Sequence, residues 1–125
     1  MSTTQTNPSV TAEPSTTAVV QLYDTVLLHV SRAAEAAHKG DFQAQFDEVM
    51  SATRIIDGLN RCLDMAQGGQ VAVNLREMYE AVSRTLLRSV GKPSAEEACD
   101  KLISAVRDMR NAWAEISGLP PIAAQ

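Results

Sequence analysis

The chain has 125 residues and a formal net charge of −4. That length suits one domain with a single core and no metal or disulfide staples, and the acidic balance argues against a nucleic-acid binder, which needs a basic face to displace counterions from phosphates. No lysine or arginine precedes Arg32, so there is no charged start to an export signal, and no apolar run approaches the ~20 residues of a membrane span; the expectation is a soluble, cytoplasmic protein with no membrane insertion.

Residues 1–17 are rich in Ser and Thr, carry Pro8 and Pro14 and, beyond Met1, offer Val10 as their one sizeable apolar side chain. Too little apolar area is available there to offset the entropy of ordering, which predicts a disordered N-terminal tail. The first helix is predicted over Val19–Lys39, with Thr16 or Thr17 as its cap. Its apolar residues Leu22, Val26, Val30, Ala33 and Ala37 recur in steps of three or four and so share one face. Val20, Tyr23, Leu27 and Leu28 widen that face beyond the roughly 100° that a core-facing helix needs. This wide stripe is the surface around which the remaining elements are expected to pack.

Gly40 ends the first helix and Asp41 caps the second, a break short enough to force a hairpin. The second helix is predicted from Phe42 to Met65. Its apolar face begins with Phe42, Phe46, Val49 and Met50, then rotates to Ile55, Ile56, Leu59, Cys62 and Leu63, so the helix offers contacts in two directions. Gln67, Gly68 and Gly69 read as the turn that ends it. The third helix, Val71–Val90, presents Val71, Leu75, Met78, Val82 and Leu86, with Tyr79 at the edge. Gly91, Lys92 and Pro93 break it, and Ser94 with Glu97 matches a capping box. The fourth helix carries Leu102, Val106, Met109, Trp113 and Ile116, stops at Gly118 before Pro120 and Pro121, and leaves residues 119–125 as a flexible end. Four such helices, each ~30 Å long and joined by short breaks, give an all-α, antiparallel up-down-up-down bundle over residues 18–118.

Little in the chain points to catalysis. His29 and His38 are the only histidines, and Cys62 and Cys99 the only cysteines. A zinc site from these four would need distant ligands to converge without a local pair to seed it, and the inward Glu-x-x-His pairs of metal-storing bundles are missing. The two thiols read as reduced packing residues. His38-Lys39-Gly40 superficially resembles a phosphate-relay site, but the relay histidine must project from mid-helix, and Gly40 ends this one. Asp24, Glu35, Asp47 and Asp57 are scattered on helical faces, where solvated charge is the usual reading. No enzyme and no cofactor is expected.

Leu22-Tyr23-Asp24 in the first helix, Gly40-Asp41 in the first turn, Ala52, Ile55-Ile56, Leu59 and Leu63 in the second helix, Gly68-Gly69, Ala72, Asn74-Leu75 and Met78-Tyr79 beyond it, and Arg110 to Trp113 in the fourth occur together in one order. In that order they resemble the flagellin-specific export chaperones of bacterial flagella, the FliS family, from about Val20 to Ile116. Thr25 stands where the family usually has glycine, Asn111 where it more often has an acidic residue, and residues 1–17 lack the tyrosines common in the family's N-terminal arm. The resemblance implies a non-enzymatic bundle that binds the disordered C-terminal segment of flagellin, prevents its early polymerisation and presents it to the export gate of the flagellar secretion apparatus. A client that folds as it binds wraps shallow apolar grooves between helices. Helical projection nominates the apolar residues that the bundle does not obviously use, Leu28, Ile55, Leu59, Cys62, Val73 and Leu87, as the client-binding groove. In the client's absence a second copy would cover such surface, so self-association of the free form is compatible with this reading. A generic four-helix adaptor for another helical client is the main alternative, ahead of a histidine phosphotransfer module.

Overall fold

The computed structural model describes residues 15–122, and the expected tail before Ser15 lies outside them. Four helices follow one another: α1 (Thr16–Lys39), α2 (Phe42–Arg61), α3 (Met65–Ser89) and α4 (Ala95–Ser117). No strand occurs among the described residues. α1 packs most heavily, against α4 on one side and α2 on the other, α3 leans on α2, and the contact between α3 and α4 is thin. The result is a four-helix bundle, and its short connections are compatible with the expected up-down-up-down course.

Glycine and aspartate set the helix ends much as their chemistry dictates. Gly40 and Gly118 adopt φ of 74° and 75° and close α1 and α4 with left-handed caps, while the Asp41 carboxylate accepts from the Ala44 N–H at the start of α2. Two caps differ from expectation. Ser15, not Thr16 or Thr17, caps α1 by accepting from the Ala18 N–H, so the helix starts earlier than its apolar stripe. Ser94 precedes α4 but makes no side-chain cap bond, because its backbone (φ −90°, ψ 10°) is already close to helical rather than extended.

The largest departure lies between α2 and α3. α2 ends at Arg61, and Asp64 caps a new helix by accepting from the N–H groups of Ala66 and Gln67. The glycine pair therefore sits inside α3 rather than ending α2. Gly69, at φ 56° and ψ −138°, breaks the helical path four residues after it begins. Only glycine takes this conformation without strain.

The core is built from Val26, Val30, Ala33, Val49, Ala52, Ile56, Val82, Leu86, Cys99 and Val106. In α2 the inward line is Gln45, Val49, Ala52, Ile56 and Leu59, which turns Phe42 and Phe46 out to solvent. A buried glutamine is tolerated there because its amide donates to the Ser89 carbonyl and accepts from the Gly91 N–H, tying α2 to the α3–α4 link. In α3 the inward line is Ala72, Tyr79, Val82 and Leu86, so Tyr79 is central while Val71 and Met78 are exposed. Leu22 in α1 and Ile116 in α4, both read as core-facing, also reach solvent.

Candidate functional site

Where α1 begins and α2 ends, all four helices contribute to an open cavity of about 300 Å³. Val19 of α1, Leu59 of α2, Leu63 of the link and Trp113 of α4 form its apolar walls, with Thr16, Cys62, Asp64 and Tyr79 completing the lining. Asp64 is held by its capping bonds to α3. Beneath, the Tyr79 hydroxyl meets that of Tyr23 at 2.5 Å, tying α1 to α3 across the bundle, with the rings tilted by 37° at 6.4 Å between centroids. Burial raises both phenols above their ordinary range. For Tyr23 the hydrogen bond to Tyr79 adds to burial, and the Trp113 indole works the other way; for Tyr79 the bond to Tyr23 partly opposes it. Both hydroxyls are neutral near pH 7, and Tyr79, the member of the pair that lines the cavity, adds an uncharged polar residue to its apolar walls.

Such a cavity can hold an apolar side chain, and its titratable groups have no catalytic arrangement. His29 Nδ1 is 2.7 Å from Glu48 of α2, and His38 Nδ1 is 3.2 Å from Glu96 of α4; neither lines the cavity. The buried Cys99 thiol is pushed up to about 11 by burial and by the neighbouring Asp100 and Glu96. Among the described residues no three His, Cys, Asp or Glu side chains converge as a metal site would require.

A second constellation lies on the α1–α4 seam. Arg110, buried on α4, donates through Nε to Asp24 of α1 at 2.8 Å and through Nη1 to the carbonyl of Pro120 at 2.8 Å. Its neighbour Asn111 donates to the Ile122 carbonyl and accepts from the Ile122 N–H, both at 2.9 Å. Residues 119–122, expected to be loose, thus return along α4 as a strap. Asp24 is not the free solvated carboxylate that its position suggested, because it is Arg110's partner.

Of the six nominated groove residues, the structure places Leu59 and Cys62 together in the cavity lining. Leu59 is also part of the core at 5% exposure, so the bundle does use it. Leu28 and Leu87 are exposed, Ile55 and Val73 are half-buried, and none of these four lines the cavity. Val19, Leu63 and Trp113, three of the walls, were not among the six. The spacing of Val19 from Tyr23 and of Leu59 from Leu63, one helical turn each, carried the missing signal.

Residues 1–119 match the family described as flagellar protein FliS. The chain belongs to the FliS family. It is 31% identical over 100 residues to the flagellar secretion chaperone FliS of Salmonella typhimurium, covering 79% of this chain and 73% of that protein. It is 27% identical over 81 residues to the protein of the same name from Vibrio cholerae, covering 65% of this chain and 59% of that one. The structure also says what several FliS-like residues do in this chain. Tyr23 and Tyr79 are the hydroxyl pair, Asp24 and Arg110 the seam, and Trp113 a cavity wall. No described helix is long and apolar enough to cross a membrane.

Proposed function

We propose that this chain is a flagellar export chaperone rather than an enzyme, and that it acts in the cytoplasm. Its client is the disordered C-terminal segment of flagellin, which it holds in an unpolymerised state and delivers to the export gate of the flagellar secretion apparatus. Family membership supports the class of function. The observation that carries the mechanism is apolar surface that the bundle does not close over: an open four-helix cavity with aliphatic and indole walls, and exposed large side chains such as Leu28, Met78 and Leu87 on the helices around it. A client that arrives disordered gains most from many shallow contacts spread over such a surface. Self-association of the free form, with a second copy over part of this surface, is compatible with this reading.

Calorimetric titration with the C-terminal segment of flagellin from the same organism, against its N-terminal segment as control, tests the reading. The expected result is one-to-one binding with a large negative heat-capacity change, accompanied by a change in emission of Trp113, the chain's only tryptophan. Absence of binding at tens of micromolar by a folded protein would transfer the chain to the generic adaptors. Ile55, half-buried against the core, separates groove from scaffold. Ile55→Asp is expected to weaken client binding while leaving urea unfolding nearly unchanged, and a loss of several kcal/mol of stability would assign the residue to the core.

A further inference from the structure

The strap of residues 119–122 is held by groups on α4. Its grip is polar, not apolar: Pro120, Pro121 and Ile122 remain exposed, and a shallow cavity of about 360 Å³ persists between the strap and α4, lined by Asp108, Asn111, Ala112, Glu115, Leu119 and Pro121. What holds it is main-chain recognition by two adjacent side chains. The Asn111 amide takes both the N–H and the carbonyl of Ile122, as a neighbouring strand would, and Arg110 takes the carbonyl of Pro120 two residues earlier. Arg110 is itself fixed by Asp24, and its Nη1 lies 3.2 Å from Asn111 Oδ1, which sets the amide so that its oxygen faces the donors. None of these bonds reads the strap's side chains. A prearranged pair that recognises only backbone accepts any extended segment whose alternate peptide groups are free.

We infer that Arg110 and Asn111 form a docking site for extended main chain along α4 at its seam with α1, that the chain's own residues 119–122 occupy it in the empty protein, and that an extended stretch of the client takes their place. The last clause rests on the chaperone reading above; the first two do not. A disordered client that wraps a bundle must cross from one helix to the next in extended segments whose peptide groups need partners. The strap shows which atoms on α4 supply them. It is also suited to yield, since it buries little apolar surface and its few hydrogen bonds are exchanged for bonds to water or to a client at small net cost. While bound it acts as a tethered competitor whose effective concentration is high because it follows α4 directly.

Three full-length proteins test this: the wild type, Ile122→Pro, which removes the N–H that Asn111 accepts while leaving Asn111 and Arg110 intact, and the double variant Ile122→Pro with Asn111→Ala. An unchanged thermal midpoint confirms that each is folded. The first probe is a synthetic peptide, acetylated and amidated at its ends, that copies residues 118–122, followed by NMR through the Arg110 guanidinium signals in all three proteins and through the Asn111 side-chain amide signals in the two that retain Asn111. Saturable shifts are expected in Ile122→Pro, binding weaker by about fivefold or more in the wild type, as expected from roughly one net hydrogen bond of competition, and no binding in the double variant. The second probe is the flagellin C-terminal segment, expected to bind Ile122→Pro about fivefold more tightly than the wild type on the same reasoning and to move the Asn111 signals. If the peptide leaves Asn111 unmoved in Ile122→Pro, the docking site is refuted. If the flagellin segment binds all three proteins equally, with Asn111 silent in the two that retain it, the client does not use the site although the chaperone reading stands. If the peptide binds and the flagellin segment does not, the chaperone reading and the client's part in this inference both fall.

Discussion

α1 and α3 are nearly the same length, 24 and 25 residues, and each carries an apolar stripe, yet the bundle treats them very differently. α1 buries Val19, Val20, Tyr23, Val26, Val30 and three alanines because it has a large interface on either side, with α2 and with α4. α3 buries Ala72, Tyr79, Val82, Leu86 and Ser89 and leaves Val71, Met78 and Leu87 in solvent, since its contact with α4 is thin. The lesson concerns neighbours. A wide stripe on α1 means two partners, whereas a stripe of ordinary width on α3 is only partly covered, and the uncovered remainder is the surface that the proposed function assigns to a client.

The sharpest way to break this contrast is to place the same charge on both helices. Val26 is fully buried, so Val26→Asp strands an unpaired carboxylate in the core and is expected to cost more than about 4 kcal/mol, enough to abolish the helical circular dichroism of a marginal domain. Met78→Asp on α3, at 39% exposure, is expected to change the urea midpoint little, within about 0.5 kcal/mol. Equal losses would mean that α3 is as deeply embedded as α1.

Removing α1's polar tie to α4 comes next. The Arg110 side chain is 10% exposed and that of Asp24 42%, so the pair is partly screened. Arg110→Ala is expected to cost about 2 kcal/mol in urea unfolding, most of it from groups left unpaired at the seam and strap. Arg110→Lys should recover only part of that, because an ammonium cannot serve Asp24 and the Pro120 carbonyl in the same forked geometry.

The tie between α1 and α3 is readable by pH. Tyr23 and Tyr79 are the chain's only tyrosines, and both phenols are raised in the folded protein by burial. Below pH 10 they are protonated folded or unfolded and contribute no pH dependence. Above it the unfolded chain loses these protons first, so stability falls by up to about 1.4 kcal/mol per pH unit for each tyrosine. Tyrosinate absorbance should therefore rise together with loss of structure; a free titration centred near 10 in a folded protein would contradict the buried pair.

A modest loss is expected at the break in α3. Gly69→Ala forces a side chain into φ 56° and ψ −138° and is expected to cost about 1–2 kcal/mol. Nothing crowds the position itself, since an added Cβ there would meet no atom within 4 Å, so the whole loss is backbone strain. If the variant is as stable as the wild type, the first turn of α3 rearranges freely.

Much of this fold was legible because short-range chemistry decides it. Gly40, Asp41 and Gly118 announce their caps in the residues themselves, and the periodic runs between them name the helices. Asp64 was equally informative but was overshadowed by Gly68-Gly69, which read as a turn and shifted the start of α3 by several residues. The rotations of α2 and α3 were harder to read. Gln45 points inward only because the α3–α4 link supplies its amide partners, and that displaces Phe42 and Phe46 from the face that hydrophobicity alone assigns them. Long-range pairs were beyond reach for the same reason: 86 positions separate Asp24 from Arg110, and neither residue carries a local sign of the other. The cavity was half-seen, through Leu59 and Cys62, because projecting one helix at a time cannot reveal a space walled by four.

The heavy pairing of α1 with α4 has a consequence for the chain as it is being synthesised. α1 emerges from the ribosome early, and α2 can fold back on it at once, but its other interface waits for Ala95–Ser117. Until then the most apolar helix is covered on one side only, and a nascent chain stalled after α3 exposes the surface most prone to aggregate. Slow translation between α3 and α4 should therefore lower the yield of folded protein more than an equal pause between α1 and α2.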